Sequence, residues 1–278
     1  MAGYSNGKIH LAASNNGWKS LEPYQTMNPQ ALLQRLDEIG HSLERSGHAL
    51  ALIGLGSVGL ELDRLDSYSD LDFFVIVEQG YKPAYLNSLQ WLSDIHPIAY
   101  SFLNTEDGYK VLFKDGIFCE FAVFELNELA NIPFTPGRVV WKRPDMPDTL
   151  AKPVSVPTPR SIRSQEFLLG EALTNIYVGL NREKRGERLS AMRFIQGYAV
   201  DRLLELAEYI ESGNDVHRDP FVNERRFEQR FPNLIPQLST WTQGYERNRE
   251  SALAILAFLE ERFEVNQVIA DAIRELCD

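Results

Sequence analysis

Gly54-Leu55-Gly56-Ser57-Val58-Gly59, followed after ten residues by Asp70-Leu71-Asp72-Phe73-Phe74-Val75-Ile76-Val77, is the stretch on which the architecture turns. The glycines end a β-type run, Ala49–Ile53, and Leu71–Val77 has the continuous apolar character of a buried strand. Side chains alternate along a strand, so Asp70 and Asp72, at its opening, project from the same face. Two adjacent carboxylates repel each other unless a cation lies between them. Paired oxygen ligands are what a hard divalent ion such as Mg²⁺ uses.

The surrounding pattern mixes strands and helices. Asn28-Pro29 has the form of an N-cap followed by a first-turn proline, with Leu32, Leu33, Leu36, Ile39 and Leu43 at helical spacing up to about Arg45. Lys82 to Ser93 predicts a helix. Pro97–Phe102 and Val139–Trp141 predict strands, and Tyr109–Phe113 and Ile117–Phe124 predict a hairpin whose Asp115-Gly116 has the two-residue turn signature. Five prolines between Arg143 and Pro159 mark a linker. Beyond it strand signals stop: Ile162, Leu169, Ala172, Leu173, Ile176 and Leu180 share a helical face, and Leu189–Ile210, Phe221–Phe231, Pro236–Tyr245 and Ser251–Leu276 continue the helical pattern. The expected class is α+β, with a loosely ordered arm at 1–27, a mixed-sheet domain with flanking helices at 28–150, and an all-helical domain at 158–278 for acceptor binding or dimerisation.

The glycine turn also matches G-x-G-x-x-G, and Glu78 stands where a ribose-binding acid would close a dinucleotide site. That NAD-dependent oxidoreductase reading requires a crossover helix between two parallel strands. The helix between the strands would be only about ten residues long here, and the chain lacks the repeated strand–helix units of that fold.

A third acid stands in Ile117-Phe118-Cys119-Glu120-Phe121-Ala122-Val123-Phe124, where every neighbour is apolar or sulfur. A buried carboxylate there needs a basic partner, a proton or a metal.

Composition excludes several classes. The 278 residues hold 28 Lys+Arg against 39 Asp+Glu, a formal charge of −11, with 44% hydrophobic residues. Residues 1–150 carry 11 basic and 19 acidic side chains, against 17 and 20 in the remainder, so nucleic-acid backbone binding is disfavoured. The basic group Arg182, Lys184, Arg185 and Arg188 is expected to be a charged turn between helices. With no signal-peptide pattern and no membrane-length apolar run, a cytoplasmic protein without a membrane partner is expected. Cys119 and Cys277 suggest no disulfide framework.

Leu55-Gly56-Ser57, then twelve residues, then Asp70-Leu71-Asp72-Phe73, with Glu120 on a later apolar strand, resembles the nucleotidyltransferase superfamily that shares the DNA polymerase beta palm. Within it the Asp-Gly hairpin and helical second half are similar to antibiotic nucleotidyltransferases of the lincosamide and aminoglycoside type. The resemblance implies transfer of a nucleoside monophosphate, AMP from ATP or its equivalent from another triphosphate, to a hydroxyl of a small molecule, with Mg²⁺ and release of pyrophosphate. It implies that Asp70 and Asp72 hold metal and that Gly56 and Ser57 cradle phosphates. Glu120 then either completes the metal site or takes the acceptor's proton, the base role being favoured. A non-catalytic or protein-modifying nucleotide-binding regulator is the alternative, and a homodimer is compatible with the pattern.

The chain departs from the pattern at Leu60, where many relatives carry a basic residue, and Arg64 is the substitute on offer. Glu166 and Glu171 stand where some relatives place a base, although exposed helix acids have the same pattern. Asp63 and Asp66 are expected to be solvated turn residues, and His96 and His217 structural or exposed. Trp91, Tyr100 and Phe102 are expected in the core rather than against an adenine, and Trp141 and Tyr177 are candidates for an acceptor cleft.

Overall fold

Helix α1 (Pro29–Ser46) begins where Asn28 Oδ1 accepts the Gln30 N–H at 2.9 Å, and it ends at Gly47 in the left-handed region. Leu32, Leu36, Ile39 and Leu43 recur on one face of it and are almost wholly buried. Each removes apolar surface worth about 1.5–3 kcal/mol. They lie against a sheet in the computed structural model, which describes residues 28–154, 163–216, 218–219 and 222–278. The expected N-terminal arm, Ile162 and His217 fall outside those residues.

The strands are β1 (Ala49–Gly54), β2 (Leu71–Val77), β3 (Ile98–Thr105), β4 (Gly108–Phe113), β5 (Phe118–Glu125) and β6 (Arg138–Lys142). They form one mixed sheet in the order β3-β4-β5-β2-β1-β6. Only β2 and β5 run parallel; every other neighbouring pair is antiparallel. Leu71, Phe73, Val75 and Val77 of β2 join Cys119, Phe121 and Val123 of β5 in the core beneath α1. Ile53, Ile76 and Phe124 form a smaller cluster with Leu129, Phe134 and Ala151, packed with Phe74 and Ala122. Asp72 and Glu120 alternate with the first set, so they share a sheet face with Phe74 and Ala122.

Three local expectations are corrected. The helix expected over Lys82–Ser93 is two short ones, α2 (Lys82–Asn87) and α3 (Gln90–Ser93), because Ser88 between them is extended, with φ −142° and ψ 120°. The β4–β5 connection is a three-residue loop rather than two: Phe113 donates its N–H to Ile117 O at 2.9 Å, and Gly116, at φ 91°, supplies the left-handed position such a loop needs. Tyr100 and Phe102 sit on the sheet's edge strand, 58% and 50% exposed, while Trp91 alone of that stripe is in the core.

The chain divides into two compact units, 1–157 and 158–278. The second is helical among its described residues. Helix α4 (Gln165–Lys184), capped by Ser164, is followed by α5 (Arg188–Met192), a π-helical stretch (Arg193–Ala199) and α6 (Val200–Ile210). Then come α7 (Phe227–Arg230), α8 (Ile235–Trp241), α9 (Asn248–Arg262) and α10 (Gln267–Cys277). Trp241, Phe227 and Phe231 anchor the core. The helix expected from Phe221 is confined to α7, and Phe221 lies outside the described residues. That expected over Ser251–Leu276 is broken, because Phe263 is extended and Asn266 starts α10 by accepting the Val268 N–H at 3.0 Å. The Arg182–Arg188 basic group is the turn between α4 and α5, with Arg188 paired to Glu183 and Glu246. No helix among the described residues is long and apolar enough to cross a membrane.

Candidate functional site

β1 ends in the glycine turn, and the turn is tied to the start of β2. Leu55 donates its N–H to Asp72 O at 2.8 Å. Gly56–Val58 then forms one 3₁₀ turn, closed by the Val58 N–H to Leu55 O and the Gly59 N–H to Gly56 O. Neither the Gly56 nor the Ser57 N–H is used in closing it. Gly56 has φ +52°, and a Cβ placed there would stand 3.9 Å from Asp72 Oδ2, so the turn lies beside that carboxylate.

The outer glycines have a packing explanation. A Cβ on Gly54 would meet Val58 O at 2.5 Å, and one on Gly59 would meet Gly54 O at 2.7 Å. The G-x-G-x-x-G spacing therefore fits a turn folded back on its own backbone. The dinucleotide reading also fails on topology, because β1 and β2 are antiparallel. Antiparallel pairing sets the glycine turn at the Asp72 end of β2, leaving Glu78 at the other end, about 20 Å away at a strand's rise per residue. There Glu78 pairs with Arg143 and with His48, whose Nδ1 lies 2.9 Å from Glu78 Oε2.

His48, followed by Arg143, holds the Glu78 carboxyl below the ordinary carboxylate value. A depressed carboxylate stabilises the fold above its unfolded pKa, and that contribution is lost as pH falls through the folded value. Glu78→Gln is therefore expected to melt below wild type at pH 7 and to converge with it under acid conditions. A melting-temperature gap that persists unchanged at pH 3 would contradict this assignment.

The acids occupy the other end of the sheet. Asp72 lies in β2, half-buried, and Asp70 precedes the strand instead of opening it. Parallel register sets Asp72 directly beside Glu120 of β5, and antiparallel register sets Glu120 beside Lys110 of β4. Glu120 is not buried as expected: its side chain is 41% exposed, because strand alternation turns it away from the Cys119–Phe121 core. Lys110 Nζ lies 3.1 Å from its Oε2, and Asn104 Nδ2 donates to its Oε1 at 2.9 Å. Among the described residues no three His, Cys, Asp or Glu side chains come together as a metal-holding group. Asp72 and Glu120 are register neighbours at this sheet end, and both Glu120 oxygens are engaged from the β3–β4 side.

Asn104 and Lys110 carried no motif and are the residues that sequence reading missed. Asp63 is exposed, and exposed Asp66 accepts the Tyr68 N–H at 2.8 Å in a local turn. Arg64 pairs with Glu61, and Leu60 is exposed. Glu166, exposed, and Glu171, half-buried, both lie on α4 in the helical unit, as does exposed Tyr177. Trp141 packs with the α1 side of the sheet. His96 lies edge-on to Phe113 and 3.8 Å from Asp115. Cys119 is fully buried, and burial pushes its thiol well above the ordinary range.

No protein-family model matches the chain, and no curated protein matches it significantly. Among solved structures, it is similar to an aminoglycoside 6-adenyltransferase from Bacillus subtilis, with 14% identity over 90% of this chain and 91% of that one and a TM-score of 0.35. It is also similar to the STING-associated CdnE c-di-GMP synthase from Capnocytophaga granulosa, with 12% identity over 89% of this chain and 79% of that one and a TM-score of 0.27.

Proposed function

We propose that this chain is a Mg²⁺-dependent nucleotidyltransferase that moves a nucleoside monophosphate, AMP from ATP, onto a hydroxyl of a small molecule, with lincosamide and aminoglycoside antibiotics as the acceptor class. The observation that carries this reading is the joining of the Gly56–Ser57 turn to Asp72 through the Leu55 N–H, which sets the glycine turn beside a carboxylate on the same sheet end.

The donor chemistry fits a hard cation at Asp70 and Asp72, two carboxylates separated by one residue, with the Gly56–Val58 turn beside Asp72. Mg²⁺ bound there would supply charge neutralisation for the triphosphate. The Gly56 and Ser57 amides and the Ser57 hydroxyl orient the phosphates. Glu120 accepts the proton of the acceptor hydroxyl as its oxygen bonds to the α-phosphorus, and the bond to the bridging oxygen breaks to release pyrophosphate. The helical unit is assigned acceptor binding or dimerisation.

ATP labelled at the α-phosphate, incubated with Mg²⁺ and a panel of hydroxylated antibiotics, tests the reading. Label appearing on one acceptor, and lost with EDTA, is expected. Label on no small molecule but on protein would favour the protein-modifying alternative. Nucleotide binding with no transfer at all would favour a regulator.

A further inference from the structure

Glu120 stands between an acid and a base in one cross-strand row: Asp72 beside it on β2, Lys110 beside it on β4. Its carboxylate is committed to one side of that row. Lys110 Nζ is at 3.1 Å from one oxygen, and the Asn104 amide donates to the other at 2.9 Å. The Asn104 orientation is one-sided too, since its Oδ1 is buried without a hydrogen-bond partner while its Nδ2 faces Glu120. An amide turned the other way would set its carbonyl against the carboxylate.

We propose that Lys110 is a positioning residue that, with Asn104, withdraws Glu120 from the metal's ligand set, leaving a two-carboxylate site at Asp70 and Asp72 and keeping Glu120 for the acceptor hydroxyl. The inference rests on the nucleotidyltransferase reading above and deepens it. A carboxylate has about four lone-pair positions, so one bond to each oxygen still leaves Glu120 able to accept another. The Lys110 ammonium also sets a positive charge one strand beyond Glu120, which opposes a divalent cation being shared between Asp72 and Glu120.

Mn²⁺ binding to the full chain, measured by electron paramagnetic resonance without nucleotide, tests this. Asp72→Asn should weaken binding by at least the roughly tenfold that loss of even an outer-shell partner costs. Lys110→Met frees Glu120 and removes the opposing charge, and should tighten binding by about fivefold. Adding Glu120→Gln to that variant should return affinity to within about twofold of wild type, and Lys110→Arg should leave it unchanged. The Lys110–Glu120 pair is partly exposed, so melting temperatures should stay close to wild type and report that each variant is folded. If Glu120→Gln alone weakens Mn²⁺ as much as Asp72→Asn, Glu120 is a ligand and the proposal fails while the metal site stands. If Lys110→Met fails to tighten binding, the proposal likewise fails. If Asp72→Asn binds Mn²⁺ as wild type does, the metal-site reading itself fails and the proposal falls with it.

Discussion

Asp72→Asn is expected to lower nucleotidyl transfer by about 10²–10³-fold or more, the loss seen when one preorganised charge-stabilising group is removed from an active site. The substitution keeps the shape of the side chain and removes its charge. It also keeps the Asp72 carbonyl that holds the Leu55 N–H, so the turn remains tied to β2. The side chain is half-buried and stands outside the core beneath α1. Circular dichroism and melting temperature should therefore stay near wild type. A variant that folds and retains full transfer would remove Asp72 from the chemistry.

Gly54→Ala should cost both stability and transfer. The added Cβ would lie 2.5 Å from Val58 O, a backbone atom that moves only if the turn moves. Overpacking of this kind costs about 1–3 kcal/mol. The same displacement shifts Gly56 and Ser57 relative to Asp72, and a misplacement near 1 Å is enough to cost about 10²-fold in rate. A fall in melting temperature together with transfer at or below one hundredth of wild type is expected. Unchanged melting and rate would mean that the turn has room to spare. The dinucleotide reading makes a different demand on this glycine, namely loss of NADH binding, and the antiparallel β1–β2 pair gives it no site to lose.

Asp72 was legible in the sequence because its constraint is local, whereas Gly54 was read only as the end of a strand and the first glycine of a G-x-G-x-x-G match. Helix α1 could be bounded from Asn28 and the leucine spacing, and β2 from an apolar run that starts and stops abruptly. The loss of legibility begins where a result depends on register between strands. A two-residue loop at Asp115-Gly116 pairs Lys110 with Phe121; the three-residue loop that forms pairs it with Glu120. One residue of slip thus hid the basic partner of the third acid. The signal was present in Gly116, which suits the left-handed last position of a three-residue loop as well as the second position of a shorter one.

Glu120 was misplaced for a related reason. An apolar run on both sides of an acid implies two covered faces, but alternation buries Cys119 and Phe121 under α1 while the Glu120 face stays partly open at this end. The antiparallel pairing that sends Glu78 away from the glycine turn was equally non-local. The sixteen residues between β1 and β2 fit a short crossover helix and an irregular return alike, and only hydrogen-bond direction separates them.

Pyrophosphate release from Mg²⁺-ATP in the presence of hydroxylated acceptors, run side by side on wild type and Asp72→Asn, is the most direct test of the central claim. Release by wild type that requires one acceptor, and its absence in the variant, is the expected result. Release that is equal in the two proteins, or that persists when Mg²⁺ is chelated, would contradict it.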